Sequence, residues 1–166
     1  MREVFMTGIE PTAIEPVRYE QGRPMIIAGL SDRFTQDTTS GIEALWREFV
    51  PFLGKVPGQS GHESYGVCCN PDGVGGFEYI AGVEVETEQG LPQDFRWIKL
   101  APQRYAVFEH QGHISGLGQT FQAIWQVWLP NSGLEAADAP EFERYSDDYE
   151  PATGNGRLEI WLPIKD

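Results

Sequence analysis

Apolar and polar positions follow two rhythms along this chain, and the rhythms recur in the same order. Arg23-Pro-Met-Ile-Ile-Ala-Gly-Leu30 is a short, largely apolar run that predicts a strand. Ile42, Leu45, Trp46, Phe49 and Leu53 then recur at i, i+3, i+4 and i+7, an apolar stripe on a helix. Tyr65 to Asn70 alternates and is stopped by Pro71-Asp72-Gly73, a turn signal, and Phe77 to Val85 reads as the strand returning from it. About eighty residues after the first strand, Arg104 to His110 predicts another. Leu117, Phe121, Ile124, Trp125, Trp128 and Leu129 repeat the helical stripe, and Phe142 to Tyr145 and Arg157 to Ile164 close the series. Arg96 to Leu100 adds a strand between the halves, and Val17-Arg18-Tyr19 a further short one near the start.

Strand, helix, strand, strand, written twice, predicts an internal duplication. Ser40-Gly41 and Ser115-Gly116 open the two helical stripes, with each serine a candidate cap, and Pro51 and Pro130 are expected to end them. The expected fold class is α+β: two βαββ units, residues 17–85 and 95–165, related by a pseudo-twofold. An antiparallel sheet would carry both helices on one face and a central cleft on the other. The joining segment, Glu86 to Pro92, is too short to separate two bodies, so residues 1–166 are expected to form one domain, with the first twenty as a loose leader.

Composition narrows the partners. Twelve basic against twenty-five acidic residues leave a formal charge of -13, which argues against a phosphate backbone as ligand and suits a cationic molecule or a basic protein. No apolar run reaches the ~20 residues that cross a bilayer, and the first ten residues lack a secretory pattern. Cys68 and Cys69 are adjacent and point to opposite faces of a strand, so no disulfide framework is expected. The expected compartment is the cytoplasm.

Common catalytic signatures are absent: there is no phosphate loop, no G-x-S-x-G elbow and no H-E-x-x-H. His110 and His113 beside Glu109 lack the further ligands of a metal site, and no cofactor is expected. What the chain offers is carboxylates among aromatic rings. Period two places Glu159 and Trp161 on one face of the last strand, away from Leu158, Ile160, Leu162 and Ile164. Glu143 and Tyr145 are expected to look into the cleft in the same way. Tyr65, Trp97, Tyr105, Phe108 and Trp125 are the further candidate ligand contacts. An acid ringed by aromatic faces attracts flat lipophilic cations. The same acid could activate water or protonate a strained ring if burial raised its pKa.

The segments that carry a resemblance are Leu45-Trp-Arg-Glu-Phe49, Tyr65-Gly-Val67, Gly82-Val-Glu-Val85, Tyr105-Ala-Val-Phe-Glu-His-Gln-Gly112, Phe142-Glu-Arg-Tyr145 and Leu158-Glu-Ile-Trp-Leu-Pro-Ile164. In this order and spacing, over residues 15 to 165, they resemble the GyrI-like small-molecule-binding domain. That family includes effector-binding domains of AraC-type and MerR-type regulators, the gyrase inhibitory protein and stand-alone multidrug-binding proteins. The resemblance implies a duplicated βαββ fold and a cleft that binds hydrophobic, often cationic compounds against a buried Glu. It carries that role to Glu143 or Glu159, with Trp161 beside the latter, and leaves open which acid lies at the floor. Residues 1–22 are too short for a helix-turn-helix, so direct DNA binding is not expected.

Three functions follow as expectations. The first is a stand-alone binding protein for hydrophobic, cationic drug-like molecules. The second is a hydrolase of cyclopropane-bearing or other strained electrophiles, with Glu143 or Glu159 as acid or base. The third is an acidic inhibitor of the gyrase-inhibitor type that binds a basic protein.

Overall fold

A computed structural model describes residues 14–110, 112–151 and 153–166; of the expected twenty-residue leader, residues 1–13 lie outside them, and its end enters the first strand. Eight strands form one antiparallel sheet: β1 (Arg18–Gly22), β2 (Met25–Phe34), β3 (Ser64–Cys69), β4 (Phe77–Val85), β5 (Arg96–Leu100), β6 (Gln103–His110), β7 (Glu141–Tyr145) and β8 (Leu158–Pro163). Their order is β1-β6-β8-β7-β3-β4-β2-β5, which reads alike from either edge once the halves are exchanged. The repeats are β2-α1-β3-β4 and β6-α2-β7-β8, where α1 is Ile42–Phe49 and α2 is Leu117–Gln122. They meet where β3 pairs with β7.

The edge strands are exchanged between the halves. β1 runs into β2 through Arg23 and Pro24 alone, yet pairs with β6; β5 runs into β6 through Ala101 and Pro102, yet pairs with β2. β1 and β2 lie six places apart in the sheet, about 29 Å at the usual strand spacing. The chain from Gly22 to Met25 spans at most about 11 Å. The sheet must therefore curl until its two edges approach. Its inner face collects Ile27, Tyr65, Val67, Ile80, Leu100, Tyr105, Val107, Phe142 and Trp161 from both halves into one cluster.

The outer face carries the helices over two separate clusters. Leu45 and Phe49 of α1 pack with Phe34, Tyr79, Val83 and Phe95. Ile124 and Trp128 pack with Phe108, Ile160, Leu162 and Ile164. Full burial of a ring such as Phe49 or Phe108 contributes about 2–3 kcal/mol.

Helix ends depart from the expected chemistry. Gly41, not Ser40, is the N-cap of α1, with no side-chain cap, and the chain enters through a 3-10 turn. In the second half Gly116 is the N-cap of α2, again with no side-chain cap; the 3-10 turn before it is capped by His113, whose side chain accepts from the Ser115 backbone N–H. Pro51 falls in a 3-10 turn directly after α1, as expected of a helix end. Pro130 does not end its helix. A π-helical segment, Ala123–Trp128, precedes it, and a last turn, α3 (Leu129–Ser132), carries the proline at its start and ends at Gly133 with φ +78°. The proline has no N–H to lose there, and the wider π turn makes room before it. His110 fastens β6 to α2, its Nδ1 paired with Thr120 Oγ1 at 2.7 Å and its Nε2 donating to the His113 carbonyl at 2.8 Å.

Candidate functional site

Alternation along β7 and β8, taken with their register, decides which acid faces where. Phe142 pairs with Trp161 and Arg144 with Glu159, so those four side chains share the inner face. Glu143 pairs with Ile160, whose side chain packs under the helices, so Glu143 and Tyr145 lie on the helical face. This corrects the expectation that Glu143 and Glu159 look into one cleft. The sheet divides the candidate residues into two sets.

On the helical face, Glu143 sits at the junction of the two halves, 6% exposed. Tyr145 and Tyr79 both donate to its Oε1, at 2.6 and 2.7 Å. The Trp46 indole N–H donates to Tyr79 Oη at 2.9 Å, and the Trp46 ring lies 5.0 Å from that of Tyr145, edge to face. Tyr149 stands 4.8 Å beyond Tyr145. Gly66 on β3 makes this packing possible. A Cβ there would lie 1.9 Å from Tyr79 Oη and 2.7 Å from Glu143 Oε1. Burial pushes the Glu143 carboxyl above its ordinary range, and the two phenol donors pull it part of the way back. Burial beside this acid also lifts the Tyr79 and Tyr145 hydroxyls, which stay protonated donors. Among the described residues no basic group forms an ion pair with Glu143.

Glu141, two residues earlier on the same face of β7, is pushed up to about 7 by burial and by the charge of Glu143, against a pull downward from the Trp125 indole. Trp125, on the π-helical segment, is 40% exposed. Burial beside both acids lifts the Cys68 thiol as well, so it is a poor nucleophile.

On the inner face, Glu159 is held differently. It takes a two-pronged contact from Arg18 at 2.8 and 3.1 Å, accepts from the Trp161 indole N–H at 3.0 Å, and meets Arg144 at 3.3 Å. Burial alone would raise its pKa; the Arg18 bonds, the indole and Arg144 outweigh it and hold the carboxyl low. Tyr65, Tyr105, Phe142 and Trp161 line a cavity of about 360 Å³ here, together with Arg18, Arg23 and Arg144.

Two candidates belong to neither set. Phe108 faces the second helix and packs edge to face on Trp128 at 4.9 Å, because period two places it with Ala106 and His110 rather than with Tyr105. Trp97 stands on the outermost strand, 44% exposed, with Lys99 Nζ 5.8 Å from its ring centre. Tyr79, Trp46, Gly66 and Arg18 belong to these sites and were not anticipated. Only Gly66 left a sign in the sequence, since a glycine inside an apolar strand marks a close approach.

The sequence pattern of the GyrI-like small molecule binding domain matches residues 15–165, and the chain belongs to this family. Transcriptional regulator BrlR of Pseudomonas aeruginosa is 33% identical over 126 residues, 74% of this chain and 46% of BrlR, so the chain spans about half the length of that relative. Among solved structures, SAV2435 bound to tetraphenylphosphonium superposes with a TM-score of 0.72 at 20% identity, covering 89% of this chain and 93% of that one. A putative bacterial transcription regulation protein from Staphylococcus aureus MU50 gives 0.71 at 21% identity, covering 93% of this chain and 100% of that one. The chain therefore has the α+β small-molecule-binding fold of its family, and among the described residues no helix is long and apolar enough to cross a membrane.

Proposed function

We propose that the chain binds a lipophilic organic cation on its helical face, with Glu143 as the anionic floor and Trp46, Tyr79, Tyr145 and Tyr149 as the aromatic walls. The observation that carries this reading is the contrast between the two acids. Glu159 already has two guanidinium partners, whereas Glu143 is more deeply buried and has only neutral donors. A buried carboxylate without a counter-charge gains most from a cation that brings its own apolar surface. The tetraphenylphosphonium on the similarly folded SAV2435 supports that ligand class. Trp46 and Tyr149 are half-buried, and these are the rings that swing aside to admit the ligand. The net charge of -13 supports a cationic partner rather than DNA for this chain. Its free thiols fit a reducing compartment such as the cytoplasm.

Calorimetric titration with tetraphenylphosphonium tests the reading. Wild type and Glu159→Gln should bind alike, and Glu143→Gln should bind about ten- to a hundredfold more weakly, the worth of a charge-assisted contact. Equal binding by wild type and Glu143→Gln would refute it. A hydrolytic role is a second reading, favoured by Glu141: a carboxyl pushed up to about 7 is suited to exchange protons near neutral pH, where an ordinary glutamate is not. Turnover of a cyclopropane-bearing electrophile that Glu141→Gln abolishes would establish it.

A further inference from the structure

The inner face holds a second acid-and-aromatic constellation, and one of the protein's own side chains already makes there the contacts that a ligand would make. Arg18 reaches in from β1, an edge strand. Its Nη1 and Nη2 meet the two oxygens of Glu159, and its guanidinium carbon lies 5.5 Å from the centre of the Trp161 ring. A planar cation gripped by both oxygens of a carboxylate over an indole face is a full recognition geometry for an amidinium or guanidinium group. Behind it the rings of Tyr105, Phe142 and Trp161 stand 5.2 to 5.4 Å apart and line a cavity of about 360 Å³, within the usual size of small-molecule sites.

We infer that Glu159 and Trp161 form a second binding site, on the opposite face of the sheet from Glu143, for a planar amidinium or guanidinium carried on an aromatic body, and that Arg18 is its tethered occupant. Three features bear on this. Arg18 is 38% exposed at its side chain and has a second partner, Glu20, at 2.6 Å, to which it can retire when displaced. Glu159 is 19% exposed at its side chain, so water reaches it and a ligand can. Arg144 and the Trp161 indole still hold Glu159 when Arg18 leaves, so the carboxylate stays aimed at the site. Because the occupant is tethered, an incoming cation competes against a high local concentration of guanidinium, and the wild-type site is weak by that factor. The site stands independently of the Glu143 reading, since it uses different residues on the other side of β7 and β8.

The test is a titration with benzamidine followed by the indole N–H signal of Trp161 in nitrogen-labelled protein, for wild type, Arg18→Ala, Arg18→Met and Arg18→Ala with Glu159→Gln. Arg18→Ala should bind benzamidine about tenfold more tightly than wild type, the worth of a partly solvated charge-assisted pair. The Trp161 signal should move on binding, and the double variant should lose the gain. Arg18→Met keeps the apolar stem on β1 and should show the same gain if Arg18→Ala fails to fold. Tetraphenylphosphonium affinity should stay within twofold throughout. Benzamidine binding that is no tighter without Arg18, or a gain that survives Glu159→Gln, overturns the inference.

Discussion

Gly66→Ala is the sharpest test of how the Glu143 site is built. Gly66 lies in β3 with an ordinary strand backbone, so alanine is allowed there and any effect comes from its methyl group. That methyl would stand 1.9 Å from Tyr79 Oη and 2.7 Å from Glu143 Oε1, where carbon and oxygen need more than 3 Å. Tyr79 cannot easily yield: it is 1% exposed, its ring is edge-on to Phe34, and its hydroxyl is tied to Trp46 and Glu143. Overpacking of a tight core costs about 1–3 kcal/mol. Loss of the Tyr79 bond to the carboxylate adds about 1.5–3 kcal/mol. A total near 4 kcal/mol is a large share of the stability of a chain this size. Urea unfolding followed by circular dichroism should show a midpoint lower by about 2 M, taking a slope of about 2 kcal/mol per molar. Gly118→Ala supplies the control. A Cβ there meets nothing within 4 Å and the position is inside α2, so the variant should gain about 0.5–1 kcal/mol. A Gly66→Ala protein within about 1 kcal/mol of wild type would refute the packing argument.

The remaining predictions concern pH and the pairing of β2 with β4. A carboxyl whose pKa is higher folded than unfolded binds more protons in the folded state, so Glu141 destabilises the fold as pH rises from about 4.5 to about 7; Glu141→Gln should flatten the stability profile in that window, measured by urea midpoints at half-unit steps. Glu78 has the opposite sign. Its carboxyl is held at about 2 by Arg96 and Asn70, so its contribution is present above about 4.5 and is lost as pH falls through about 2. Arg96→Ala should therefore cost about 1 kcal/mol at pH 6, discounted for the exposed guanidinium, and almost nothing near pH 2. Gly29→Ala should fail to give soluble protein in an expression trial, because its Cβ would lie 1.9 Å from the Ala81 carbonyl where β2 pairs with β4.

Much of the fold was legible because each element carries its own period. The apolar residues of β8 and the stripes of both helices, Trp125 apart, face the core as their spacing predicts, and Glu159 with Trp161 shares the inner face with Tyr65 and Tyr105. What a single strand cannot encode is its phase relative to its neighbours. On β7, Glu143 and Tyr145 share one face and Phe142 and Arg144 the other. Which face meets Trp161 is settled by register, and the pairing selects Phe142. The exchange of β1 and β5 between the halves was equally hidden, since it rests on long-range pairing rather than on the residues of either strand. With it went Arg18, whose partner Glu159 lies 141 residues away. The π-helical segment escaped notice because Pro130 reads as an ending, and only the wider turn before it lets the helix run on.

The central claim is that a lipophilic cation lies on the helical face against Glu143. Nuclear Overhauser contacts between bound tetraphenylphosphonium and the protein test it most directly. The account predicts contacts from the phenyl protons to Tyr79, Tyr145 and Trp46, and none to Tyr105 or Trp161. Contacts confined to Tyr105 and Trp161 would place the ligand on the inner face and contradict it.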